Sequence, residues 1–440
     1  MIPLNICSNK SCGGVVIRYY DAEYIKKDFI KENHLEPRGE IVFSDISDDE
    51  ALEVVKKYIT DTYSQCFCKP QGMLKLPYLV PGGGYTMLWD WDSFFMACSV
   101  KDDMIEYAKG SICNLLDNVG ADGRPAKNLA IDGDNDAHSI PLPLQIQYAY
   151  VIAKRINDFS WTKKYWDRFQ KIISWYDNNC TRNGLYVYFD IYGNGIDNNP
   201  AVYGRSPMST SACDFVSFFY RDLCAIYKFA VIFGKNDEAQ YYLKRAKEMK
   251  ALISEKYFDQ MDNCFYSIDC NFDTKNITWQ TIGWTTYLKY RNFSIIFPLW
   301  AGIATKEQAQ KMRDMIMNEN EFLSVCGIRS HSKADPIYNN VAMVNPSNWQ
   351  GPVWGLSTFL TAYALARYGY KEEALEVAMR LIKTFALDIK QNGCIHEYYH
   401  GDSGQPIMRP HFLSWNILAL NVIDDIKSGS DPTTFDLLDI

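Results

Sequence analysis

Residues 345–389 read NPSNWQGPVWGLSTFLTAYALARYGYKEEALEVAMRLIKTFALDI. The stretch opens on a loop of Asn, Pro, Gly and Trp. It then runs into two helical segments, 351–367 and 371–389, with apolar residues recurring at helical spacing. The second carries Glu372 and Glu373 where the helix dipole is positive, and it stops before Gly393. The same alternation of polar loop and helix extends outward. It predicts further helices at 49–64, 91–117, 143–156, 160–178, 212–233, 236–256, 280–288, 304–317 and 410–426, with Asn236 a candidate N-cap.

Residues 1–49 read differently. GGVVIRYY and GEIVFSDI are β-branched and aromatic between Gly and Asp, which predicts a β-rich or irregular lead-in packed on the helical body. Residues 50–428 are then one helical domain without a low-complexity linker, and 429–440 (GSDPTTFDLLDI) a loose C-terminal tail. So many helices alternating with loops point to an all-α, two-layer barrel. Periodicity alone does not separate a toroid from another all-helical arrangement.

Composition excludes several classes of function. The 440 residues are 47% hydrophobic, enough for one large core. No run of about 18 uncharged apolar residues predicts a membrane span. The start, MIPLNICSNK, lacks a basic and then apolar pattern, so a cytoplasmic protein is expected. The net charge is −8 and the basic residues form no block, which argues against nucleic acid. The 13 cysteines are odd in number, and Cys66 and Cys68 are the closest pair, so reduced thiols are expected rather than a disulfide framework or metal site. Thirty Tyr and 11 Trp suit stacking on sugar rings, and equally an aromatic helical core. What remains is a small-molecule partner and a monomer or small homo-oligomer.

Four motifs carry chemistry. Trp89-Asp90-Trp91-Asp92 sits where a Gly-rich loop enters a helix. There an Asp can grip two sugar hydroxyls and a Trp can wall the ring, or Asp90 or Asp92 can be an N-cap. Asn194-Gly195-Ile196-Asp197-Asn198-Asn199-Pro200 offers Asp197 as an acid, or as a cap of its own turn. Asn345-Pro346-Ser347-Asn348-Trp349-Gln350-Gly351-Pro352-Val353-Trp354 offers amide and indole donors. His396-Glu397-Tyr398-Tyr399-His400 matches H-E-x-x-H, a zinc signature on a helix. Gly393 before it and Gly401 to Pro406 after it predict a loop instead, where Glu397 fits a hydrolytic base better.

Together, WD, GIDNNP, GIRSHS, NPSNWQGPVW and HEYYHGDSG resemble the glycosidases of glycoside hydrolase family 63, with the trehalases a more distant likeness, over residues 80–425. The resemblance implies an (α/α)6 barrel, a six-hairpin toroid, and an inverting hydrolase of a small α-linked glucoside or mannoside. It makes Asp197 the general acid and Glu397 the general base. Trp91 and Asp92 line the sugar subsite, and Trp349, Gln350 and Trp354 face it. Tyr85, Trp89, Gln145, Asn198, Tyr398 and Trp415 are expected as further sugar contacts. No metal and no organic cofactor is implied. In size the chain is more similar to bacterial hydrolases of mannosylglycerate or glucosylglycerate.

The pattern departs at Ala201 and Gln350, where Arg is common, and in reading EYYH for ENYN, which leaves the substrate open. An anionic aglycone would call for an arginine clamp, with Arg205 and Arg329 as candidates. Both could equally pair with Asp residues of their own loops. Three rivals stand: a barrel-type epimerase using His331, His396, His400 or His411, a zinc hydrolase, and a non-catalytic sugar-binding barrel.

Overall fold

Two kinds of helix alternate along the chain, and burial separates them. The computed structural model describes residues 39–133, 140–190, 193–271, 278–279, 282–283, 286–340 and 347–440. Its helices are α1 (Asp48–Thr62), α2 (Asp90–Ala97), α3 (Ile105–Asp117), α4 (Gln145–Arg155), α5 (Trp166–Asn179), α6 (Cys213–Ile232), α7 (Asn236–Lys256), α8 (Phe297–Trp300), α9 (Lys306–Ile316), α10 (Gly355–Arg367), α11 (Lys371–Asn392) and α12 (Val422–Ser428). A 3-10 segment, Ser414–Leu420, precedes α12.

Some helices are buried all round. Every residue of α4 from Gln145 to Ala153, of α6 from Cys213 to Ile226 and of α10 from Gly355 to Leu365 is buried, and so is all of Ser414–Leu420. Others bury one stripe: Ala239, Tyr242, Ala246, Met249 and Ile253 on α7, and Ala51, Val55 and Ile59 on α1. A helix apolar on all sides belongs inside, and one with a single stripe belongs on the rim. The packing follows. α2 touches α4, α4 touches α6, α6 touches α8, α8 touches α10, α10 touches Ser414–Leu420, and that segment returns to α2. Outer helices cover this inner ring, with α7 on α6 and α11 on α10 and α1. No helix among the described residues is long and apolar enough to cross a membrane.

Several helix ends are set locally. Ser47 Oγ accepts from Glu50 N, Thr305 and Gln308 form a capping box on α9, and Gly393 closes α11 at φ +79°. Such caps contribute about 1 kcal/mol each. Asn236 is the first helical residue of α7 rather than its cap. Lys235 holds the N-cap position without a side-chain cap bond, and its N donates to Ala230 O at 2.8 Å, closing the turn from α6 into α7.

The structure differs from the sequence expectation at four more places. Segment 91–117 is two helices, because the turn around the exposed Lys101, Asp102 and Asp103 reverses the chain from inner to outer layer. In segment 280–288 the described residues are short strands: Ile282–Gly283 pairs with Thr278–Trp279, and Tyr287–Leu288 with Ser267–Asp269. Its β-branched and aromatic residues favour a pleated surface over a helix. His396–Tyr399 is a buried strand, not a loop. Segment 410–426 divides into Ser414–Leu420 and α12.

The two termini also differ. GGVVIRYY lies outside the described residues. GEIVFSDI is extended, but side-chain amides replace a partner strand. Gln405 bonds both N and O of Ile41 (2.7 and 3.0 Å), and Gln391 does the same for Val42 (2.9 and 3.0 Å). The tail is docked rather than loose, because buried cationic and indole groups of the ring find their acceptors on it. Arg221 donates to Thr433 O (2.6 Å) and Thr434 Oγ1 (3.0 Å), Trp300 Nε1 donates to Thr433 Oγ1 (2.8 Å), and Leu437 is fully buried. Leu437→Ala is expected to lower unfolding free energy by about 2–4 kcal/mol, the usual cost of a cavity at a buried leucine. Urea unfolding checks this; an unchanged midpoint would mean that the tail detaches before the body unfolds.

Candidate active site

α2, α10 and Ser414–Leu420 all begin at one end of the ring, and the loops there enclose a cavity. It is lined by Pro81, Tyr85, Trp89, Asp90, Trp91 and Asp92, by Lys127, Pro141 and Leu142, by Gly193, Asn194, Gly195 and Asp197, and by Ser347, Trp349, Trp354, Glu397, Phe412 and Trp415. The strand Leu88–Trp89 pairs with Asn128–Leu129 and delivers the chain to the start of α2. Asp90 Oδ1 accepts from Trp91 N at 2.7 Å, while Asp92 Oδ1 accepts from Ser414 Oγ at 2.6 Å. Both carboxylates therefore sit in a first helical turn, where the dipole favours negative charge.

Asp197 is exposed, on a loop folded by its own asparagines. Asn194 Oδ1 accepts from Ile196 N (2.7 Å), and Asn199 Oδ1 accepts from Ala201 N (3.0 Å) and from Asn292 Nδ2 (2.9 Å). Gly195 is required by close approach: a Cβ there would lie 2.8 Å from the Trp91 ring. Glu397 comes from the strand His396–Tyr399, whose neighbours are Val353–Trp354 and Pro406–Pro410. That pairing joins the Trp-Gln-Gly-Pro-Val-Trp and His-Glu-Tyr-Tyr motifs side by side.

Aromatic rings form a continuous wall. Trp349 and Trp354 stack at 4.1 Å and 3°, Trp354 meets Tyr398 at 4.5 Å, and Trp415 stands edge-on to Trp91 at 6.4 Å. The indole N–H groups of Trp89, Trp91 and Trp415 and the Oδ2 of Asp90 are buried without a hydrogen-bond partner among the described residues. Buried polar atoms are normally paired. Three donors, several carboxylate acceptors and flat apolar faces suit a ligand bearing many hydroxyls on an apolar ring.

The carboxylates raise one another's pKa. Glu397 is 4% exposed, and burial pushes its carboxyl up to about 8, with Asp92 and Asp197 adding to the rise. The Arg409 charge and the Tyr85 hydroxyl, 3.3 and 3.4 Å from its two oxygens, pull the other way. Burial likewise lifts Asp90 and Asp92 to about 7.

Of the residues expected in a site, Asp197, Glu397, Tyr85, Trp89, Trp91, Asp92, Trp349, Trp354 and Trp415 line this one cavity. The others do not line it. Gln145 donates to Ala126 O at 2.7 Å. Asn198 holds the Trp349 loop, accepting from Trp349 N (2.7 Å) and from Gln350 Nε2 at its carbonyl (2.9 Å). Gln350 is thus spent on that clamp and on Asn339. Tyr398 packs behind Trp354. Arg205 pairs with Asp269 at 2.5 Å; Arg329 is buried against Leu323 O and pairs with Asp402 at 3.2 Å. Asn345 and Pro346 lie outside the described residues.

Sequence reading missed Asp90 and Lys127 as lining residues and Arg409 as the cation beside Glu397. Asp90 belonged to a quoted motif, where sugar contact and N-cap stayed open, and the resemblance pointed to Asp92. Lys127 and Arg409 belong to no motif, so only the fold reveals them. The two histidines of H-E-x-x-H diverge: His396 Nδ1 bonds Asp388 at 2.8 Å, while His400 Nδ1 accepts from Asp402 N and Ser403 N. Among the described residues no group of three or more His, Cys, Asp or Glu could hold a metal ion.

Glu397→Gln keeps the side-chain shape and removes a carboxyl that burial penalises when charged. A folded pKa raised above the unfolded one costs stability as pH rises between the two, here from 4.5 to about 8. The variant is therefore expected to match wild type nearly at pH 5 and to exceed it by on the order of a few kcal/mol at pH 8. Thermal unfolding at both pH values checks this; a gain independent of pH would contradict it.

Comparison with known proteins agrees with this geometry. The mannosylglycerate hydrolase of Thermus thermophilus, crystallised with glucose and assigned to glycoside hydrolase family 63, superposes with a TM-score of 0.58 at 18% identity, covering 86% of this chain and 99% of that one. The neutral trehalase of Saccharomyces cerevisiae superposes with a TM-score of 0.61 at 16% identity, covering 81% and 76%. These likenesses show the fold, an (α/α)6 barrel. A curated relative, an uncharacterized protein of Saccharomyces cerevisiae, is 26% identical over 189 residues, and the match spans only 17% of that protein. The model of the mannosylglycerate hydrolase MGH1-like glycoside hydrolase domain matches residues 85–415, well over half of the chain. The chain belongs to that MGH1-like glycoside hydrolase family.

Proposed function

We infer that the protein hydrolyses a small α-linked glucoside or mannoside with inversion, Asp197 acting as general acid and Glu397 as general base. The observation that carries this reading is the placement of both carboxylates in one aromatic cavity, although 200 residues separate them in sequence. An inverting pair needs one carboxyl to protonate the leaving oxygen and another to deprotonate a water, about 6.5–9.5 Å apart. The exposed Asp197 stands toward solvent, where an aglycone would leave. The buried Glu397 stands against Tyr85 and the aromatic wall, where a water could be held. Water attacks the anomeric carbon as the bond to the aglycone oxygen breaks. Glu397 takes the proton from the water and Asp197 gives one to the oxygen. Asp92, Trp91 and the unpartnered indole donors grip the sugar.

The relatives support a short list of substrates. The Thermus structures carry glucose, and D-glycerate with Tris, and the yeast neighbour is a trehalase. Glucosylglycerate, mannosylglycerate and short glucosyl disaccharides are therefore the substrates to test. The epimerase reading is weaker, because His331, His396, His400 and His411 all lie outside the cavity lining. The screen is incubation of wild type, Asp197→Ala and Glu397→Gln with these glycosides and assay of free hexose. Release by wild type, falling by about 100-fold or more in both variants, is expected. Equal release by either variant would remove that residue from its role.

A base must be deprotonated to act. With Glu397 held at about 8, kcat/KM is expected to climb toward that pH rather than level off near an ordinary carboxylate value. Removing the Arg409 charge removes a pull that lowers the Glu397 pKa. Arg409→Gln should therefore move the acidic limb to higher pH. A limb near pH 4, or one unmoved by Arg409→Gln, would contradict the assignment.

A further inference from the structure

The ladder that carries Glu397 is interrupted at Glu397. His396 pairs with Pro410 and Tyr398 with Ile407, so Met408 and Arg409 both stand opposite Glu397. Met408 takes φ +66°, a left-handed conformation uncommon for a residue with a side chain. On the other edge, Val353 and Trp354 pair with Tyr399 and Tyr398, and that register ends short of Glu397. A bulge of this kind re-aims a side chain but disrupts the local ladder. The orientation of Glu397 therefore needs support from outside the sheet.

That support comes from the outer layer. Asp388, fully buried on α11, accepts at one oxygen from His396 N (3.2 Å), from His396 Nδ1 (2.8 Å) and from Tyr399 Oη (2.7 Å). The Tyr399 hydroxyl lies 3.2 Å from His396 N as well. One carboxylate oxygen thus ties down the strand on both sides of Glu397. Burial pulls the His396 pKa down, but the bond and charge of Asp388, with Cys394 adding, hold it at about 9. The bond from His396 is therefore charge-assisted at neutral pH. Asp388 itself lies outside the cavity lining.

We propose that Asp388 is a positioning residue for Glu397: through His396 and Tyr399 it replaces the interrupted ladder and fixes the carboxylate against the attacking water. The proposal rests on the reading of Glu397 as base. Fluoride leaves a sugar with little need of protonation, so α-glucosyl and α-mannosyl fluoride report on the base side of the reaction. Using whichever fluoride wild type hydrolyses, Asp388→Asn is expected to lower kcat about 100-fold and Tyr399→Phe about 10-fold, with KM changed by less than about two-fold. A misplaced base slows the chemical step, whereas general loosening of the site would weaken binding too.

Tyr399→Phe keeps the ring packed on Phe385, at 5.6 Å, and decides the matter if Asp388→Asn does not fold. A kcat within about two-fold of wild type in Tyr399→Phe would overturn the proposal, as would a raised KM at unchanged kcat. Full activity of Glu397→Gln on the same fluoride would overturn the base assignment itself, an outcome distinct from intact positioning variants beside an inactive Glu397→Gln.

Discussion

The rest of the structure depends on inner elements that are buried on every side. Such helices have no face to offer water, so they are stable only inside a closed ring with a second layer outside. Closing the ring gathers helix N-termini at one end. The polar residues that sequence places there, Asp90 and Asp92 on α2 and Ser414 before Trp415, then face one another across a small space. The cavity is a consequence of the ring, and its chemistry is a consequence of which residues begin its helices. At the other end the docked tail satisfies Arg221 and Trp300.

A cavity made this way carries a cost. It holds Asp90, Asp92, Asp197 and Glu397 together, with aromatic rings for walls. Burial works against charge on three of them. A fold selected for stability alone would not keep buried carboxyls and unpartnered indole donors in one place. Function explains them, because a proton donor and a proton acceptor for glycosidic cleavage must differ in environment. The exposed Asp197 and the buried Glu397, with Tyr85 and Arg409 beside it, differ in environment, the raised pKa falling on Glu397.

Much of this was legible in the sequence. The alternation of helix and polar loop gave the all-helical plan, and four motifs located both carboxylates and most of the tryptophans. What was hidden depends on partners distant in sequence. Arg205 and Arg329 read as clamps or as partners of Asp residues in their own loops, but Asp269, Leu323 O and Asp402, from other segments, claim them. Asn198 and Gln350 sit in the right motifs and hold those motifs to each other. His-Glu-Tyr-Tyr read as a loop from its flanking glycines, whereas pairing with Val353–Trp354 makes it a strand. The tail read as loose because terminal segments often lack partners. It is ordered because Arg221 needs acceptors there.

The most direct test of the account is the configuration of the sugar at the moment of release. Proton NMR of wild-type enzyme with an α-glycoside it cleaves resolves the nascent anomer before mutarotation. The account predicts that the β-anomer appears first and decays to the equilibrium mixture, as expected if water enters opposite the leaving group with Glu397 as its base. The α-anomer appearing first would contradict it, since retention requires a covalent intermediate and a carboxylate acting as nucleophile.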